Sequence, residues 1–378
     1  MINADSFITR AGDHGFHLYS GVPCSYLTPF INYVVDSSDL SYIGAANEGD
    51  AIALVAGAEL GGVRGVVMHQ NSGLGNALNP LTSLTHTFRI PLLLITTLRA
   101  EPGGPADEPQ HELMGAITTA LLELMDIPWE YFPDQVDRID ACLDRAVQHM
   151  DDVGRPYALV MRKGTVERWE LTSVQEPKEL VATFPETHVP RHLRWDLLQA
   201  VQAATRESDV VVATTGYTGR ELYQLGDREN QLYMVGSMGC APSFGLGLAI
   251  AQPERRVVAL DGDGAALMRM GAQATVGYER PRNLIHILFD NGVHESTGGQ
   301  ATVSRSIDFC AIAAGCGYPR VSRVSTPDEL AAILSADEQT LHFVHVPTLP
   351  GVRAKLPRPS LQPHEVAQRL RSFLAGGS

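Results

Sequence analysis

Asp263 and Asn291 are the residues whose type and spacing most directly suggest chemistry. Each follows an apolar, β-branched run, RVVAL ahead of the glycine-flanked Asp263 and LIHILF ahead of Asn291. Such runs, separated by helical patterns, are typical of parallel strands, and ligands of parallel sheets bind at the carboxyl ends of the strands. Carboxylate and amide oxygens suit Mg²⁺, which keeps part of its octahedron for phosphate oxygens. The spacing therefore predicts a magnesium site that also takes a phosphate-bearing ligand.

The stretch that ends at Asn291 resembles a known signature. Gly264 and Ala265 begin a predicted helix whose unpaired backbone N–H groups suit a diphosphate. A glycine-flanked Asp alone is usually turn chemistry, so only the whole pattern is specific. That pattern, with its LG pair, proline, hydrophobic strand, GDGA and distant asparagine, resembles the signature of thiamine diphosphate enzymes. The resemblance implies thiamine diphosphate and Mg²⁺ as cofactors, with Asp263, Asn291 and Val293 as metal ligands.

Glu48 is the candidate for activating the ring of that cofactor. It follows a predicted strand, begins a helix of small apolar residues, EGDAIALVAGAEL, and is placed as the activating glutamate of the family is. Its role would be to give a proton to a nitrogen of the aminopyrimidine ring. An acid in the first turn of a helix is otherwise favoured by the helix dipole, as is Asp50 beside it. The combination with the downstream signature favours the catalytic interpretation.

Two further stretches of the second half are similar to cofactor-binding segments of the family. In VGSMGCAPSFGLG, the resemblance places a backbone carbonyl at Gly236 near the pyrimidine amino group, and Met238 where a bulky side chain keeps the cofactor bent. In ATTGYTGRELY, a strand ends in a turn whose N–H and hydroxyl groups could bind the diphosphate. Packing and plain turn geometry are the alternatives for these segments. The predicted diphosphate-binding residues of the second stretch are Thr215, Gly216, Tyr217 and Thr218.

The candidate substrate residues lie mainly in the first half. Ser25, in GVPCSYL, resembles the serine that holds the substrate carboxylate in related 2-oxo acid decarboxylases. Gln70 and Asn71 stand on a loop that would face the thiazole, although such residues are common in any turn. His111 lies on the Gly- and Pro-rich loop LRAEPGGPADEPQHELMG, a predicted lid, and His294 follows the metal-binding asparagine. Both histidines are candidates for proton transfer to the product, with an ordinary surface histidine as the alternative.

The pattern along the chain predicts two α/β halves that position these residues. Strand and helix patterns alternate over residues 1–168 and again over residues 195–378, which is typical of doubly wound parallel sheets. The segment between them, residues 169–194, is charged, contains several prolines and is predicted to be a linker. The expected fold class is α/β, with two doubly wound parallel-sheet domains of the thiamine diphosphate-binding fold. The pyrimidine-binding domain comes first, the diphosphate-binding domain second, and no middle domain is expected.

The amino-acid composition restricts the classes of binding partner and the cellular compartment that we expect for the protein. The chain has 378 residues, enough for two domains, and a formal net charge of −14, which argues against nucleic acid or an anionic membrane surface as the main partner. Its five cysteines show no CxxC spacing, so neither a disulfide framework nor a zinc site is predicted. The N-terminus has no secretory character and no long apolar span follows, so we expect a cytoplasmic protein.

Several strings across most of the chain resemble the phosphonopyruvate decarboxylases, among them NEGDAIALVAG, QNSGLGNALNPLTSL and DNGVHESTGGQ. The resemblance implies decarboxylation of 3-phosphonopyruvate to phosphonoacetaldehyde and CO₂ in phosphonate and antibiotic biosynthesis. Since Glu48 and the diphosphate site lie in different halves, and family members join such halves from different chains, we expect a homodimer or larger oligomer. Cys240 departs from the family, in which a histidine is expected after GSMG.

Three alternatives remain open at the level of the sequence. Sulfopyruvate decarboxylase is the nearest, because its substrate differs only in the anionic group. An acetolactate-synthase-like carboligase and a non-catalytic cofactor-binding subunit are more distant. A phosphonate also needs cations, and Arg matches its oxygens with a planar fork. The candidate cations, among which the sequence does not choose, are Arg99, Lys163, Arg220, Arg353 and Arg358.

Overall fold

Each half of the chain folds around a six-stranded parallel sheet, which confirms the predicted α/β class. The computed structural model describes residues 1–173, 189–297 and 299–376, which fall into two compact units, Met1–Glu176 and Pro177–Ser378. Helices flank both sheets, as the alternating pattern predicts. In the described ranges, no helix has the length and apolar character needed to cross a membrane.

The sheet of the first unit carries the predicted substrate loops at the ends of its strands, and all its neighbouring strands are parallel. The strands are β1 (Leu18–Gly21), β2 (Ser41–Gly44), β3 (Gly65–His69), β4 (Leu93–Thr97), β5 (Trp129–Tyr131) and β6 (Tyr157–Met161), in the order β2-β1-β3-β4-β6-β5. The helices are α1 (Ala4–Asp13), α2 (Thr28–Asp36), α3 (Glu48–Leu60), α4 (Leu74–Pro80), α5 (His86–Phe88), α6 (Glu112–Leu124) and α7 (Ile139–Val153). A π-helical turn, Leu81–Thr85, joins α4 to α5.

Helix α3 is the central helix of this unit and begins at Glu48. The side-chain oxygen of Asn47 caps it by accepting a hydrogen bond from the backbone N–H of Gly49 at 2.8 Å. The helix is buried from Gly49 to Ala58 because its residues are small or apolar, and it packs on β1 and β3. This packing fixes the first turn of α3, and with it the backbone of Glu48, at the end of β2.

Aromatic side chains hold the other helices of the first unit. The rings of Phe7, Phe30 and Phe132 lie with centroids 4.5 to 5.5 Å apart in the core against the sheet. Farther along the chain, Trp169 packs edge-on against Tyr33 with centroids 5.0 Å apart. The first residues of the predicted linker, 169–194, therefore lie on this unit, and residues 174–188 lie outside the described part of the chain.

The sheet of the second unit has the same parallel arrangement. Its strands are β7 (Val210–Ala213), β8 (Gln231–Tyr233), β9 (Val257–Gly262), β10 (Leu284–Asp290), β13 (Arg320–Arg323) and β14 (His342–Pro347), in the order β13-β14-β10-β9-β7-β8. Outside this sheet, β11 (Val293–His294) pairs with β12 (Gln300–Ala301) as a small antiparallel hairpin. The helices are α8 (Arg194–Ala204), α9 (Tyr217–Leu225), α10 (Ala241–Ala251), α11 (Asp263–Met268), α12 (Gly271–Glu279), α13 (Phe309–Gly315), α14 (Pro327–Ser335) and α15 (Pro363–Leu374).

Strands β9 and β10 are neighbours in this sheet, with Gly262 paired to Phe289 at their carboxyl ends. A buried pair ties them together: His286 Nε2 lies 3.3 Å from Asp261 Oδ2, and its other ring nitrogen lies 3.1 Å from the Tyr318 hydroxyl. The other oxygen of Asp261 accepts the N–H of Gly262 at 2.9 Å. The parallel register, with Gly262 opposite Phe289, brings Asp263 and Asn291 to one edge of the sheet, as the sequence predicted.

The sequence analysis missed two strands of the large sheets, the small hairpin of β11 and β12, and one helix break. Strands β5 and β13 each lie at the edge of a sheet and are only three and four residues long, and β13 contains two arginines, so neither shows an apolar run. The single helix predicted after Asp263 is two helices, α11 and α12, because the backbone turns out of helical geometry at Arg269 (φ −134°, ψ 52°).

Candidate functional site

The carboxylate of Glu48 is held on the first unit by the loop after β3. Asn76 donates its side-chain N–H to Glu48 Oε2 at 2.8 Å. Gly73 lies so close that a Cβ atom there would come within 2.5 Å of Glu48 Cγ and 2.6 Å of Oε1. Only glycine allows this approach, so the loop fixes the side chain as well as the backbone of Glu48.

His69, at the end of β3, is a polar residue of this region that the sequence analysis did not single out. It is completely buried, and its Nδ1 lies 2.7 Å from the backbone carbonyl of Gln70, which can only accept a hydrogen bond. Its Nε2 has no hydrogen-bond partner among the described residues. Burial lowers the pKa of His69 against the opposing effects of that hydrogen bond and of the charge of Glu48. The lowered pKa favours the neutral ring, in which one nitrogen donates a hydrogen bond and the other accepts one.

Gln70 is the centre of a polar cluster of the first unit. Its side-chain nitrogen donates to Ser72 Oγ at 2.7 Å and lies 3.5 Å from His111 Nδ1. Its side-chain oxygen accepts from Cys24 Sγ at 3.5 Å and from Arg99 Nη1 at 3.4 Å. Two predicted residues far apart in sequence, Gln70 and His111, thus lie together at the end of β3.

The other predicted substrate residues have contrasting environments. Asn71 is completely buried, and its side-chain nitrogen donates to Thr118 Oγ1 at 3.0 Å and to the Arg99 carbonyl at 3.1 Å. Contact of Asn71 with a substrate would require this packing to open. Ser25 is exposed and lines a groove of about 760 Å³ together with Lys163.

The predicted lid loop is closed by a bidentate ion pair. Arg99 donates from Nη2 to Asp107 Oδ1 at 2.6 Å and from Nε to Oδ2 at 3.0 Å. The same carboxylate accepts the backbone N–H groups of Ala100 (3.3 Å) and Glu108 (2.8 Å), and Ala100 has the left-handed φ of 55°. The hydrogen bonds from Arg99 hold the pKa of Asp107 well below its usual range. The loop that leads to His111 is therefore an ordered element.

Asp107→Asn is expected to open this loop while leaving the fold intact. The neutral amide loses the charge-assisted bonds from Arg99, each worth about 1.5–3 kcal/mol, so the amides of Ala100 and Glu108 should exchange hydrogen roughly 10- to 100-fold faster. Because the pKa of Asp107 is lowered in the folded protein, its ion pair stabilises the loop fully above the usual carboxyl pKa. This stabilisation declines as the pH falls below that value. Exchange mass spectrometry of wild type, D107N and the control Glu112→Gln, at an exposed position, measures this, and equal exchange in all three would contradict it.

In the second unit, one cleft gathers almost all the predicted cofactor residues. It lies at the carboxyl ends of β7, β9 and β10, where ligands of parallel sheets bind. Gly236 is the one predicted residue of this group that is absent from its lining. The predicted residues that line it are Thr215, Gly216, Tyr217, Thr218, Met238, Asp263, Gly264, Ala265, Asn291, Val293 and His294.

Asp263 is held in place by residues that no local sequence pattern pointed to. Thr302 donates its hydroxyl to Asp263 Oδ2 at 2.5 Å, and Ser304 donates to Asp290 Oδ1 at 2.9 Å. Burial raises the pKa of Asp263, and the hydrogen bond from Thr302 opposes this. Burial also acts to raise the pKa of Asp290, but hydrogen bonds from His345 and Ser304 outweigh it and lower the value. The strand end thus carries two carboxylates that are linked through Thr302 and Ser304, whose hydroxyls lie 3.0 Å apart.

The donors of this cleft fit Mg²⁺ with a diphosphate. The described residues contain no cluster of three or more His, Cys, Asp or Glu that would make an all-protein metal cage. Asp263 offers one carboxylate, and Asn291 and Val293 offer neutral oxygens; Asn291 Oδ1 accepts the Val293 N–H at 3.0 Å and keeps a second lone pair. Mg²⁺ is usually held by one or two carboxylates plus phosphate oxygens. The buried hydroxyl of Thr214, which also lines the cleft, has no partner among the described residues, so it suits a phosphate oxygen.

The cleft is tightly packed at Gly264, and its backbone is constrained at Ser237. A Cβ atom on Gly264 would lie 2.5 Å from His294 Cε1 and 3.3 Å from Met238 Cε, so His294 and Met238 meet over this glycine. Ser237, directly before Met238, has the left-handed φ of 53°, a conformation that non-glycine residues keep mainly where the surroundings enforce it. Cys240, the departure from the family pattern, is completely buried at the start of α10.

An ion-pair network borders the same cleft. Arg194 Nε donates to Glu221 Oε2 at 2.8 Å, and Arg194 Nη2 lies 3.0 Å from Glu295 Oε2. Glu295 also accepts the backbone N–H of Gly351. Burial raises the pKa of Glu221, while its pairing with Arg194 acts to lower it. Since Arg194 and Glu295 both line the cleft, the network fixes the loop that carries Val293 and His294.

Comparison with known proteins bears on both units. Residues 2–118 match the N-terminal TPP binding domain of thiamine pyrophosphate enzymes, and residues 215–346 match the C-terminal TPP binding domain. The chain is 43% identical to a phosphonopyruvate decarboxylase of Streptomyces hygroscopicus, over 99% of this chain and 94% of that protein. It is 29% identical to a sulfopyruvate decarboxylase of Methanosarcina acetivorans, over 95% and 94%. Benzoylformate decarboxylase from Polynucleobacter necessarius shares the fold, with a TM-score of 0.71 over 93% of this chain and 100% of that chain at 12% identity.

Proposed function

The chain belongs to the thiamine pyrophosphate enzyme family, and from this premise we propose that it decarboxylates 3-phosphonopyruvate to phosphonoacetaldehyde and CO₂. The observation that carries the proposal is the cleft in which Asp263, Asn291 and Val293 converge, in a chain that resembles a phosphonopyruvate decarboxylase along its whole length. The sulfopyruvate decarboxylase is more distant, at 29% identity, which favours the phosphonate over the sulfonate as substrate.

The residues of the second unit would hold the cofactor. Asp263, Asn291 and Val293 would bind Mg²⁺, and the turn from Thr215 to Thr218 would bind the diphosphate through its N–H and hydroxyl groups. When bound, thiamine diphosphate supplies the electron sink that decarboxylation requires. Met238 would keep the cofactor in its bent form. His294, which meets Met238 over Gly264, would exchange a proton with the reacting atoms.

The residues of the first unit would supply the remaining roles. Glu48 would keep a proton at a nitrogen of the aminopyrimidine ring, and its fixed position favours this because general acids need defined geometry. Ser25, which is exposed, would orient the substrate carboxylate. His111, whose Nδ1 lies 3.5 Å from the side-chain nitrogen of Gln70, would donate the proton that replaces CO₂. The described cysteines are all free thiols, which suits a reducing compartment, and we propose a cytoplasmic enzyme of phosphonate and antibiotic biosynthesis.

The direct test is incubation of the purified protein with thiamine diphosphate, Mg²⁺ and 3-phosphonopyruvate. CO₂ release and formation of the aldehyde, followed by ³¹P NMR, should occur together and should stop when EDTA removes the metal. Parallel assays with sulfopyruvate decide between the two decarboxylases through the ratio of their kcat/KM values. Absence of CO₂ from either 2-oxo acid would contradict the proposal and favour a carboligase or a non-catalytic subunit.

We further propose an oligomer in which Glu48 of one chain serves the Asp263 cleft of another. Mixing inactive Glu48→Gln and Asp263→Asn proteins, with unfolding and refolding to exchange subunits, is expected to restore about a quarter of wild-type activity. Half of the dimers would then be mixed, and each would contain one site with both native residues. Analytical ultracentrifugation would confirm the dimers. Mixed dimers without recovered activity would contradict the sharing of sites.

A further inference from the structure

A second cavity of the Pro177–Ser378 unit adjoins the cofactor cleft. It has a volume of about 610 Å³ and shares Thr215, Gly216 and Ser296 with the cleft. Its walls include the end of β8, with Tyr233 and Met234, and the chain segment that leads into α15. The walls combine these apolar side chains with polar and charged ones.

Two arginines line this cavity without a carboxylate partner. Arg220 comes from the first turn of α9 and lies 5.8 Å from the centre of the Tyr217 ring, and Arg358 comes from the segment before α15. In the part of the chain that the structure describes, neither makes an ion pair. In a chain with a formal net charge of −14, two cations in one cavity with no acid beside them point to an anionic ligand.

Neighbouring contacts hold the segment that carries Arg358 against α9. The Tyr223 hydroxyl, one turn after Arg220, donates to Ser360 Oγ and accepts the Ser360 backbone N–H, both at 3.2 Å. Farther along, Arg369 of α15 forms a bidentate pair with Asp227 at 2.7 and 2.8 Å. The two arginines are thus brought to one cavity by fixed structure on both sides.

The remaining candidate cations are less suited to an anionic ligand. Arg99 is already neutralised by its bidentate bond to Asp107. Arg353 stacks over Trp195, with its guanidinium carbon 4.1 Å from the ring centre. Lys163 lines the groove with Ser25 on the other unit, and a Lys offers a point charge in place of a planar fork. Of the five candidate cations, Arg220 and Arg358 are therefore the best suited to bind an anionic ligand.

We propose, on the basis of the proposed function, that Arg220 and Arg358 bind the phosphonate group of the substrate. The phosphonate keeps its charge throughout the reaction, whereas the carboxylate loses its charge as CO₂ departs. Cations that hold the phosphonate bind ground state and transition state equally, so they lower KM and leave kcat nearly unchanged. Cations on the departing carboxylate would instead oppose its loss.

The test compares wild type with Arg220→Gln, Arg358→Gln and the competing candidate Lys163→Gln, all loaded with thiamine diphosphate and Mg²⁺. The matched control is Arg282→Gln, in an exposed turn directly before β10. Each variant of the two cavity arginines should raise the KM for 3-phosphonopyruvate about 10- to 100-fold, the effect of losing a charge-assisted hydrogen bond, with kcat and the Kd of thiamine diphosphate changed less than about threefold. The control should change neither constant. A second measurement needs no turnover: ³¹P line broadening of methylphosphonate should occur with wild type and be lost in both arginine variants.

The outcomes separate this inference from the proposed function. If wild type releases no CO₂ from 3-phosphonopyruvate, the function fails, and methylphosphonate binding still decides whether the cavity takes a phosphonate. If wild type is active but both arginine variants keep its KM, the inference is overturned. It is likewise overturned if the variants lose thiamine diphosphate affinity instead, since the arginines would then serve the cofactor, or if Lys163→Gln alone raises KM.

Discussion

Glu48→Gln is expected to reduce the turnover of 3-phosphonopyruvate by about 10²- to 10⁴-fold, the range that general acid–base groups supply. Gln has the size and shape of Glu, so it fits against Gly73 and can still bond to Asn76. What it lacks is a titratable proton for the ring nitrogen. The Kd for thiamine diphosphate, measured by fluorescence quenching, should therefore change little while kcat collapses.

The matched control for this variant is Glu254→Gln, which makes the same chemical change at an exposed turn after α10. Its kcat should stay within about twofold of wild type, because surface substitutions away from special features have small effects. A Glu48→Gln enzyme that keeps more than a tenth of wild-type kcat would contradict the proposed proton role. Loss of cofactor binding together with kcat would assign Glu48 to binding alone.

Asp263→Asn is expected to weaken cofactor binding, which precedes turnover. Asn preserves the size of the side chain and can accept the hydrogen bond from Thr302, but it removes the one carboxylate among the three proposed metal ligands. A contact with a charged group is worth about 1.5–3 kcal/mol, so the affinity for Mg²⁺ and thiamine diphosphate together should fall by roughly tenfold to a hundredfold or more.

Titration of thiamine diphosphate at increasing Mg²⁺ concentration measures this effect. Unlike Glu48→Gln, the Asp263→Asn protein should bind the cofactor only at raised Mg²⁺, and activity should recover in parallel with binding. Asp328→Asn, an exposed acid at the start of α14, is the control and should titrate as wild type does. Unchanged Mg²⁺ dependence in Asp263→Asn would remove Asp263 from the metal site.

The central strands and the residues at their ends could be predicted because their signals are local. An apolar run followed by a small polar turn marks β9 and β10, and the parallel sheet then brings Asp263 and Asn291 to one edge. The same reasoning fails for β5 and β13. As short edge strands, they bury too little to require an apolar run.

The supporting residues of the site could not be predicted for a different reason. Thr302 is 39 positions from Asp263, and Arg194 is 27 positions from Glu221, so each pair is a product of the fold and leaves no periodic pattern. His69 is the last residue of β3, a strand that is buried throughout, and the sequence does not show that its Nε2 lacks a partner among the described residues. The choice of Arg220 and Arg358 among five cations likewise depends on the cavity they share.

The account depends on a metal-held cofactor whose diphosphate lies in the Asp263 cleft and whose ring is reached by Glu48. Crystals grown with thiamine diphosphate and Mn²⁺ in place of Mg²⁺ test this most directly, because the anomalous signal locates the metal. The account predicts a peak at coordination distance from the oxygens of Asp263, Asn291 and Val293, with a Glu48 carboxylate in hydrogen-bond contact with the pyrimidine ring. A metal peak away from Asp263, or a pyrimidine ring without a Glu48 beside it, would contradict it.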